Sequence, residues 1–579
     1  MNTTPAPTDH LLAETCAADV IDAFDGYNSA FRAVTRRALQ RFDTRDWNGS
    51  QRDAVERIEL YERYVDRCVA ELRLKLGTTA TDRGLWQALK AHFAHLIATR
   101  ADGEFRKTFF NSATRRFFGT VGVDAQIEFV ALDLDPLAGA SGEVMTTAYA
   151  NRGNLALLFE DVLGDFRTRS PWRDFNASVK HVAGEVQALL DAEGVELSQL
   201  EVIRPVFWQT TRAYLVGRLD CGTFVAPLAI ALRNSEKGVH VDAVLLREAD
   251  VSILFSFTRS YFHVDLERVG EAVLFLKRLL PRKPVSELFT VLGRARQGKT
   301  ERFRELFHHL EQTDDLFDLA PGERGLVMVC FTLPSFDVVF KLIRDKFPVQ
   351  KNILREDVLR KYDFVFKHDR AGRLVDAQEF KRLRFPRARF SAALLQELLS
   401  ETAATVHEDG TDLIIDHCYI ERRMVPLNLY LQTAAPEDAA AAVVDYGQCI
   451  RDLAYTNIFA GDLLLKNFGV TRHHRVIFYD YDELCLLTEC RFRDLPTAST
   501  HEDEMSADAW FYVADNDVFP ETFLKFLSFS ASTREVFLQH HGEILTAQWW
   551  RQLQVRHGGG EVLEVLPYGP HRVRVASSL

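Results

Sequence analysis

Ala460-Gly461-Asp462-Leu463-Leu464-Leu465-Lys466-Asn467-Phe468-Gly469-Val470, followed shortly by Val476-Ile477-Phe478-Tyr479-Asp480, is the stretch whose reading decides the fold. Asp462 and Asn467 stand five residues apart, and Asp480 ends an apolar strand. In that pattern one carboxylate can orient an attacking hydroxyl, while an amide and a second carboxylate hold divalent cations against phosphate oxygens. Asp and Asn are also common turn residues, so the triplet gains its weight from what precedes it.

Upstream lies Ala320-Pro321-Gly322-Glu323-Arg324-Gly325, then an apolar run from Leu326 to Phe331, then Val338-Val339-Phe340-Lys341. This reads as a glycine turn, a strand, and a second strand ending in Lys. Glycines let backbone N–H groups approach phosphate oxygens without a Cβ in the way. A Lys on the next strand reaches the α- and β-phosphates of a nucleotide. The order of the two halves is that of a protein kinase, with D-x-x-x-x-N and a strand-end acid as its second half. A helix over about 356–368 takes the place of the kinase αC, and Glu356 and Glu379 are candidates to pair Lys341. The strand 413–415 and the segment 417–424 form the passage between lobes. Backbone groups from Tyr419 to Met424, Glu421 and Met424 among them, are placed to meet an adenine ring. A helix over about 437–455 leads into the catalytic loop. Several features depart from kinases in general. Only Gly322 and Gly325 remain of G-x-G-x-x-G, Asp462 follows Ala460-Gly461 instead of His-Arg, and Asp480-Tyr481-Asp482 has no Gly.

At 579 residues the chain has room for two or three domains. Hydrophobic residues at 47% and charged residues at 26% describe a soluble globular protein. A net charge of -12 argues against nonspecific nucleic-acid binding. Residues 1–12 show neither a basic n-region nor an apolar core of a secretory signal. No apolar run approaches the roughly 18 residues of a membrane helix, so a cytoplasmic setting is expected. The eight cysteines are scattered without a C-x-x-C pair, a pattern of buried reduced thiols.

Apolar residues recur at helical spacing from about 15 to 118, as in Val55-Ile58-Tyr61-Val65. From about 207 to 264 the pattern becomes an antiparallel meander punctuated by Gly, Asp and Asn. Helices are expected at about 266–279 and 285–310, with the kinase-like half beginning at about Thr313. The fold class is therefore α+β, in two domains: 1–312, mostly helical with a small antiparallel sheet, and 313–579, bilobal and protein-kinase-like.

Longer segments carry a more specific resemblance. Asp337-Val-Val-Phe-Lys341, the run from His368 to Phe380 with Asp-Ala-Gln-Glu-Phe at its end, Tyr419-Ile-Glu-Arg-Arg-Met-Val-Pro-Leu-Asn428, Lys466-Asn-Phe-Gly-Val470 and Phe478-Tyr-Asp-Tyr-Asp-Glu483 closely resemble the isocitrate dehydrogenase kinase/phosphatase family. So do Phe109-Phe-Asn-Ser112, Ala213-Tyr-Leu-Val-Gly217 and Arg259-Ser-Tyr-Phe262 in the first half. The resemblance covers nearly the whole chain. It implies a bifunctional enzyme that phosphorylates an active-site serine of NADP-dependent isocitrate dehydrogenase and also removes that phosphate. Carbon is thereby switched between the citric-acid cycle and the glyoxylate bypass. It further implies that Ala320, Pro321, Gly322, Glu323, Arg324, Gly325 and Leu326 form the ATP loop, with Lys341 on the phosphates. Asp462 would be the kinase base, Asn467 and Asp480 ligands of Mg²⁺ or Mn²⁺, and Asp376 the acid needed for phosphatase action. ATP, with ADP in the phosphatase step, would use one nucleotide site. AMP and small metabolites would act allosterically through the first half. The oligomeric state stays open, a dimer among the options.

Other signals compete. Gly293-Arg-Ala-Arg-Gln-Gly298-Lys299-Thr300 fits the P-loop pattern letter for letter, but it lies between helical stretches instead of after a strand. It reads as a surface helix–loop–helix, at most an effector contact at a helix N-terminus. Asp480-Tyr481-Asp482 also fits an aspartyl-phosphate phosphatase with Asp480 as nucleophile, although little chain follows to build an α/β domain, and Asp462 and Asn467 are left unexplained. A nucleotide-binding pseudokinase scaffold has no need of all four of Lys341, Asp462, Asn467 and Asp480. His473-His474 and His540-His541 point to different sides of their elements and read as turn or surface residues. Thr497 to Phe523, with its acidic run, is a candidate substrate-docking loop.

Overall fold

The computed structural model describes residues 7–132, 135–141, 145–256, 262–348, 353–496 and 511–568. The chain separates into two compact units, one of residues 1–314 with 382–384 and 568–579, the other of 315–381 with 385–567.

The first unit opens on four helices, α1 (Pro7–Thr44), α2 (Trp47–Leu76), α3 (Arg83–Ile97) and α4 (Gly103–Phe118). Polar caps set their starts: Asp46 accepts from the Gly49 N–H and Asp82 from the Leu85 N–H, each satisfying an orphan donor. Gly119 ends α4 in the left-handed region at φ 57°, which a side chain would resist. The inward stripe expected from the spacing closes over one aromatic core containing Phe24, Tyr27, Tyr61, Trp86, Phe109 and Phe110. After β1 (Thr146–Ala150), α5 (Leu155–Gly164) and α6 (Phe175–Glu193) come β2 (Gln199–Ile203), β3 (Phe207–Gln209), β4 (Arg212–Asp220), β5 (Val225–Ser235) and β6 (Gly238–Leu245). The meander forms as expected, and β1 and β2 extend it in the order β1-β2-β4-β5-β6, with β3 on β4. Val182, Val186 and Leu190 of α6 pack with Leu215, Leu228 and Ile230 in a second core.

Helices α7 (Glu248–Leu254), α8 (Val269–Leu279), α9 (Val285–Val291) and α10 (Ala295–Gln312) complete this unit. The helical stretch expected over 285–310 is two helices, because Gly293 sits at φ 89° between α9 and α10. The P-loop-like string is thus a helix–turn–helix, as read. It is not a surface feature, however, because Arg294, Gln297 and Gly298 are buried. A Cβ on Gly298 would lie 2.5 Å from the Ser286 carbonyl oxygen, so this glycine serves close helix packing and not phosphate.

The second unit begins with β7 (Asp318–Leu319), β8 (Met328–Leu333), β9 (Phe336–Ile343), α11 (Arg355–His368), β10 (Gln378–Pro386), α12 (Ala392–Glu401), β11 (Val406–Asp409) and β12 (Asp412–Arg422). The sheet order is β10-β12-β9-β8-β7, with β11 on β12. The short strand and passage expected over 413–424 are one continuous strand to Arg422, because its backbone pairs with β9 as far as Arg422 opposite Val338. The larger lobe follows: β13 (Val425–Pro426), α13 (Leu427–Thr433), α14 (Pro436–Tyr455), β14 (Ile458–Phe459), β15 (Phe468–Val470), β16 (Val476–Phe478), β17 (Cys485–Leu486), β18 (Arg491–Phe492), β19 (Asp517–Val518), α15 (Phe523–Phe526), α16 (Ala531–His541) and α17 (Ala547–Gly558). Its core gathers Tyr446, Phe468, Phe478, Phe537 and Trp550. The whole is α+β, with a kinase-like pair of lobes inside the second unit.

His541 is buried, with Nε2 2.8 Å from the Val444 carbonyl oxygen, and His474 occupies a turn at φ 58°. The cysteines are free, but Cys221, Cys330, Cys485 and Cys490 are only half-buried, against the expectation of uniformly buried thiols. Within the candidate docking loop 497–523, residues 497–510 lie outside the described residues, as does most of Arg259–Phe262. Among the described residues no helix is long and apolar enough to cross a membrane.

Candidate active site

Lys341 anchors the site from β9. Its side chain is buried, and its Nζ lies 2.8 Å from Glu421 Oε2 and donates to the Tyr479 carbonyl oxygen at 2.6 Å. The partner follows from register. Lys341 pairs with Tyr419 across the β9–β12 ladder, and Glu421, two residues on, projects from the same face of β12. Burial pushes the Lys341 amine down, but the Glu421 carboxylate, with Cys330 and Asp480 nearby, outweighs it and holds the amine above its ordinary value. The amine is therefore charged at neutral pH, as a phosphate ligand must be.

This corrects two expectations. The partner of Lys341 is neither Glu356, which is exposed, nor Glu379, which pairs with His417 at 3.0 Å and with Lys381 at 3.0 Å. The helix at the αC position, α11, presents Tyr362 instead, stacked on Tyr419 with ring centroids 3.8 Å apart. Glu421 was expected to offer its backbone to adenine; its side chain is committed to Lys341. Met424 lies in the 423–424 link between β12 and β13, against Gly469 of β15, where a Cβ would meet Met424 Cβ at 2.8 Å.

The Tyr479 peptide joins Lys341 to the catalytic loop. Its N–H donates to the Asn467 carbonyl oxygen at 3.1 Å, while its carbonyl accepts from Lys341. Asn467 Nδ2 donates to the Asp462 carbonyl oxygen at 3.3 Å, and Asp462 Oδ1 accepts from the Leu464 N–H at 2.9 Å. An unbroken run of bonds thus links Glu421, Lys341, Tyr479, Asn467 and Asp462. Asp480, one residue past Tyr479, enters beside Lys341. Asp376 arrives from the other side of the same strand. Phe478 of β16 donates to the Arg373 carbonyl and accepts from the Val375 N–H, and Tyr481 Oη donates to the Val375 carbonyl at 2.7 Å. The buried Arg373 fixes that segment through Asp445 and Asp452, each at 2.7 Å. Asp376 itself accepts from Gln378 Nε2 at 3.1 Å.

Ala320 to Leu326 form the loop between β7 and β8, anchored where the Ala320 N–H donates to the Cys330 carbonyl at 3.0 Å. Gly322 adopts φ 117°, open essentially to glycine alone. Arg324 reaches Glu397 at 3.2 Å, and Glu323 pairs with Lys466 at 2.9 Å. The last contact ties the glycine loop to the catalytic loop across 143 positions of sequence. It is an exposed pair of small net stability.

Among the described residues no three His, Cys, Asp or Glu side chains gather into a metal cluster. One carboxylate and one amide, Asp480 and Asn467, are the kind of sparse oxygen donor set that suits Mg²⁺, which keeps several waters and completes its shell with phosphate oxygens. The rival aspartyl-phosphate reading of Asp480 needs a parallel α/β sheet, whereas β16 belongs to the antiparallel set β13-β15-β16.

Gly461 sets the aim of Asp462. It sits at φ 77°, and a Cβ there would lie 2.5 Å from the Glu483 carbonyl oxygen. Gly461→Ala is expected to lower turnover by about 10²-fold, the cost of misplacing a reacting group by roughly an ångström, with ATP affinity little changed. Steady-state kinetics against ATP checks this, and a raised KM at full kcat would overturn it.

Sequence alone could not expose Glu421 as the ion-pair partner. The available signal was an acid directly after the apolar run Cys418-Tyr419-Ile420, since a buried carboxylate calls for a cation.

Comparison with known proteins follows the same division of the chain. The kinase domain of isocitrate dehydrogenase kinase/phosphatase (AceK) matches residues 315–570, and the regulatory domain of the same family matches 17–314. The chain is 47% identical over 569 residues to the isocitrate dehydrogenase kinase/phosphatase of Xanthomonas euvesicatoria pv. vesicatoria, covering 98% of each. The Xanthomonas campestris pv. campestris protein of that name is 48% identical over 552 residues, 95% of each. That of Anaeromyxobacter sp. is 47% identical over 554 residues, 95% of this chain and 96% of the relative.

Proposed function

Because the chain belongs to the isocitrate dehydrogenase kinase/phosphatase family, we propose that it transfers phosphate from ATP to a serine of NADP-dependent isocitrate dehydrogenase and also removes it. The observation that carries this reading is the bonded run from Glu421 through Lys341 and Tyr479 to Asn467 and Asp462, with Asp480 just past β16 and Asp376 after the 373–375 segment that flanks that strand.

Each residue has a physical task. Lys341, kept charged by Glu421, neutralises the α- and β-phosphates. The loop 320–326 covers them with backbone N–H groups, and the link around Met424 borders the adenine. Asp462 accepts the proton of the attacking serine hydroxyl. Asn467 and Asp480 hold magnesium, which when bound neutralises charge on the phosphates. Asp376 serves the reverse task of phosphate release, orienting water toward the phosphoserine, with ADP in the same nucleotide site. The setting is cytoplasmic, and residues 1–312 carry regulation by AMP and metabolites. The physiological outcome is control of flux between the citric-acid cycle and the glyoxylate bypass.

The test is labelled-phosphate transfer from ATP to purified isocitrate dehydrogenase, followed by release, with wild type and Asp376→Ala. Transfer should persist in the variant while release falls by about 10²-fold or more, within the range for one acid–base residue. Release at the wild-type rate would remove Asp376 from that role. No transfer by wild type would overturn the substrate assignment.

A further inference from the structure

The geometry points to Cys485 and Cys490 as a peroxide-driven, reversible disulfide that slows phosphate transfer by reshaping the turn that supports the catalytic loop. Their Sγ atoms are 3.5 Å apart, in contact but unbonded, and both residues are half-buried and so within reach of small oxidants. The two thiols flank a single tight turn, Leu487–Glu489. Closing the S–S bond brings the sulfurs about 1.5 Å nearer, a movement shared between side-chain rotation and the turn itself. Cys16, Cys68, Cys418 and Cys449 are buried, and burial pushes the Cys330 thiol up to about 11.

The surroundings favour chemistry at Cys485. The hydrogen bond with the Cys490 thiol holds the Cys485 thiol below its ordinary value, while burial opposes and the Lys361 ammonium assists. Lys361 is fixed there by donating to the Leu484 carbonyl at 2.6 Å. A thiolate so placed attacks one oxygen of hydrogen peroxide. The O–O bond breaks, hydroxide leaves and takes a proton as water, and Cys485 becomes a sulfenic acid. The Cys490 sulfur then displaces that hydroxyl, its proton leaving in a second water as the S–S bond forms. Two thiols lose two electrons, and one peroxide gains them.

The turn is wired to Asp462. Cys485 is the ladder partner of Phe459, and Leu486 that of Ile458, on the strand that delivers the catalytic loop. The Leu487 N–H donates to the Asn457 carbonyl at 3.0 Å, and the Thr488 N–H to Asn457 Oδ1 at 3.1 Å. Gln554 Nε2 donates to the carbonyls of Leu487 and Cys490. Drawing the sulfurs together must tighten the turn against these bonds, and the strain falls on Asn457 to Phe459, next to Ala460-Gly461-Asp462.

Trypsin releases both cysteines in one peptide, residues 476–491, because no Lys or Arg lies between Arg475 and Arg491. The reduced full-length protein is treated with hydrogen peroxide, then digested after alkylation of free thiols. The expected peptide is two hydrogens lighter and unalkylated, with transfer activity down at least about tenfold, as for a small displacement of a reacting group, and regained in dithiothreitol. Cys490→Ser should keep its activity under the same treatment. A peptide alkylated at both cysteines, or carrying only sulfinic acid, would overturn the disulfide. A disulfide with unchanged activity would overturn the switch. The activity arm rests on the phosphotransfer reading, but the mass does not. Failure of the untreated enzyme to transfer phosphate counts against that reading, while the peptide still decides the disulfide.

Discussion

Asp462→Ala is expected to abolish phosphate transfer to isocitrate dehydrogenase, with turnover down by about 10³-fold and nucleotide binding retained. The proposed base accepts a proton as the serine oxygen attacks, an interaction made in the transition state, so the loss should appear in kcat and not in KM. The fold should survive. Asp462 is half-buried on a loop, its Oδ1 holds only the Leu464 N–H, and the Asn467 amide bonds to its backbone carbonyl, which Ala keeps. Calorimetry with ATP and stopped-time transfer assays measure the two quantities separately. Transfer within tenfold of wild type would remove Asp462 as the base; loss of ATP binding would recast it as a nucleotide ligand.

The second large effect is at Lys341. Lys341→Met should lose transfer by at least about 10²-fold, since the phosphates lose their buried cation. It should also lose stability, by about 3–5 kcal/mol, because Glu421 is left buried without its counter-charge. The sign with pH follows. A stranded buried carboxylate has its pKa raised in the folded state, so its penalty is full above that raised value, fades as pH falls through it, and is gone below the unfolded carboxylate value. The stability gap between variant and wild type should therefore narrow as pH falls. Adding Glu421→Gln to Lys341→Met should restore much of the stability and none of the transfer. Urea melts at two pH values with a double-mutant cycle read this directly. A single variant as stable as wild type would show that the ion pair does not hold the sheet. A double variant that regains transfer would remove Lys341 from phosphate binding.

Together the two substitutions separate chemistry from architecture. Asp462 sits on a loop positioned by Gly461 and by the 485–490 turn, so its loss is expected in rate alone. Lys341 sits inside a sheet, paired across strands, so its loss is expected in both rate and stability. The departures from kinases in general fit this division. Glu356 of α11 is exposed, and the charge on Lys341 is fixed instead by Glu421 of β12, an element of the same sheet.

Much was legible in local pattern. Helical spacing marked α1 to α4, and the turn residues from about 207 to 264 marked the meander. The order of glycine loop, Lys341, Asp462, Asn467 and Asp480 announced a kinase-like second half, because each is set by short-range backbone chemistry: glycine freedom, a strand-end acid, a five-residue loop. Four features waited for the tertiary structure. The partner of Lys341 depends on the register between β9 and β12, whose paired residues are some 80 positions apart. The Glu323–Lys466 pair and the bracket of Phe478 by Arg373 and Val375 join loops distant in sequence. Cys485 and Cys490 are near neighbours in sequence, yet only the turn between them brings the sulfurs into contact. Periodicity and turn chemistry are properties of a few consecutive residues and are written in the chain. Which charge neutralises a buried lysine, and which thiol faces which, are decided only when strands choose their register.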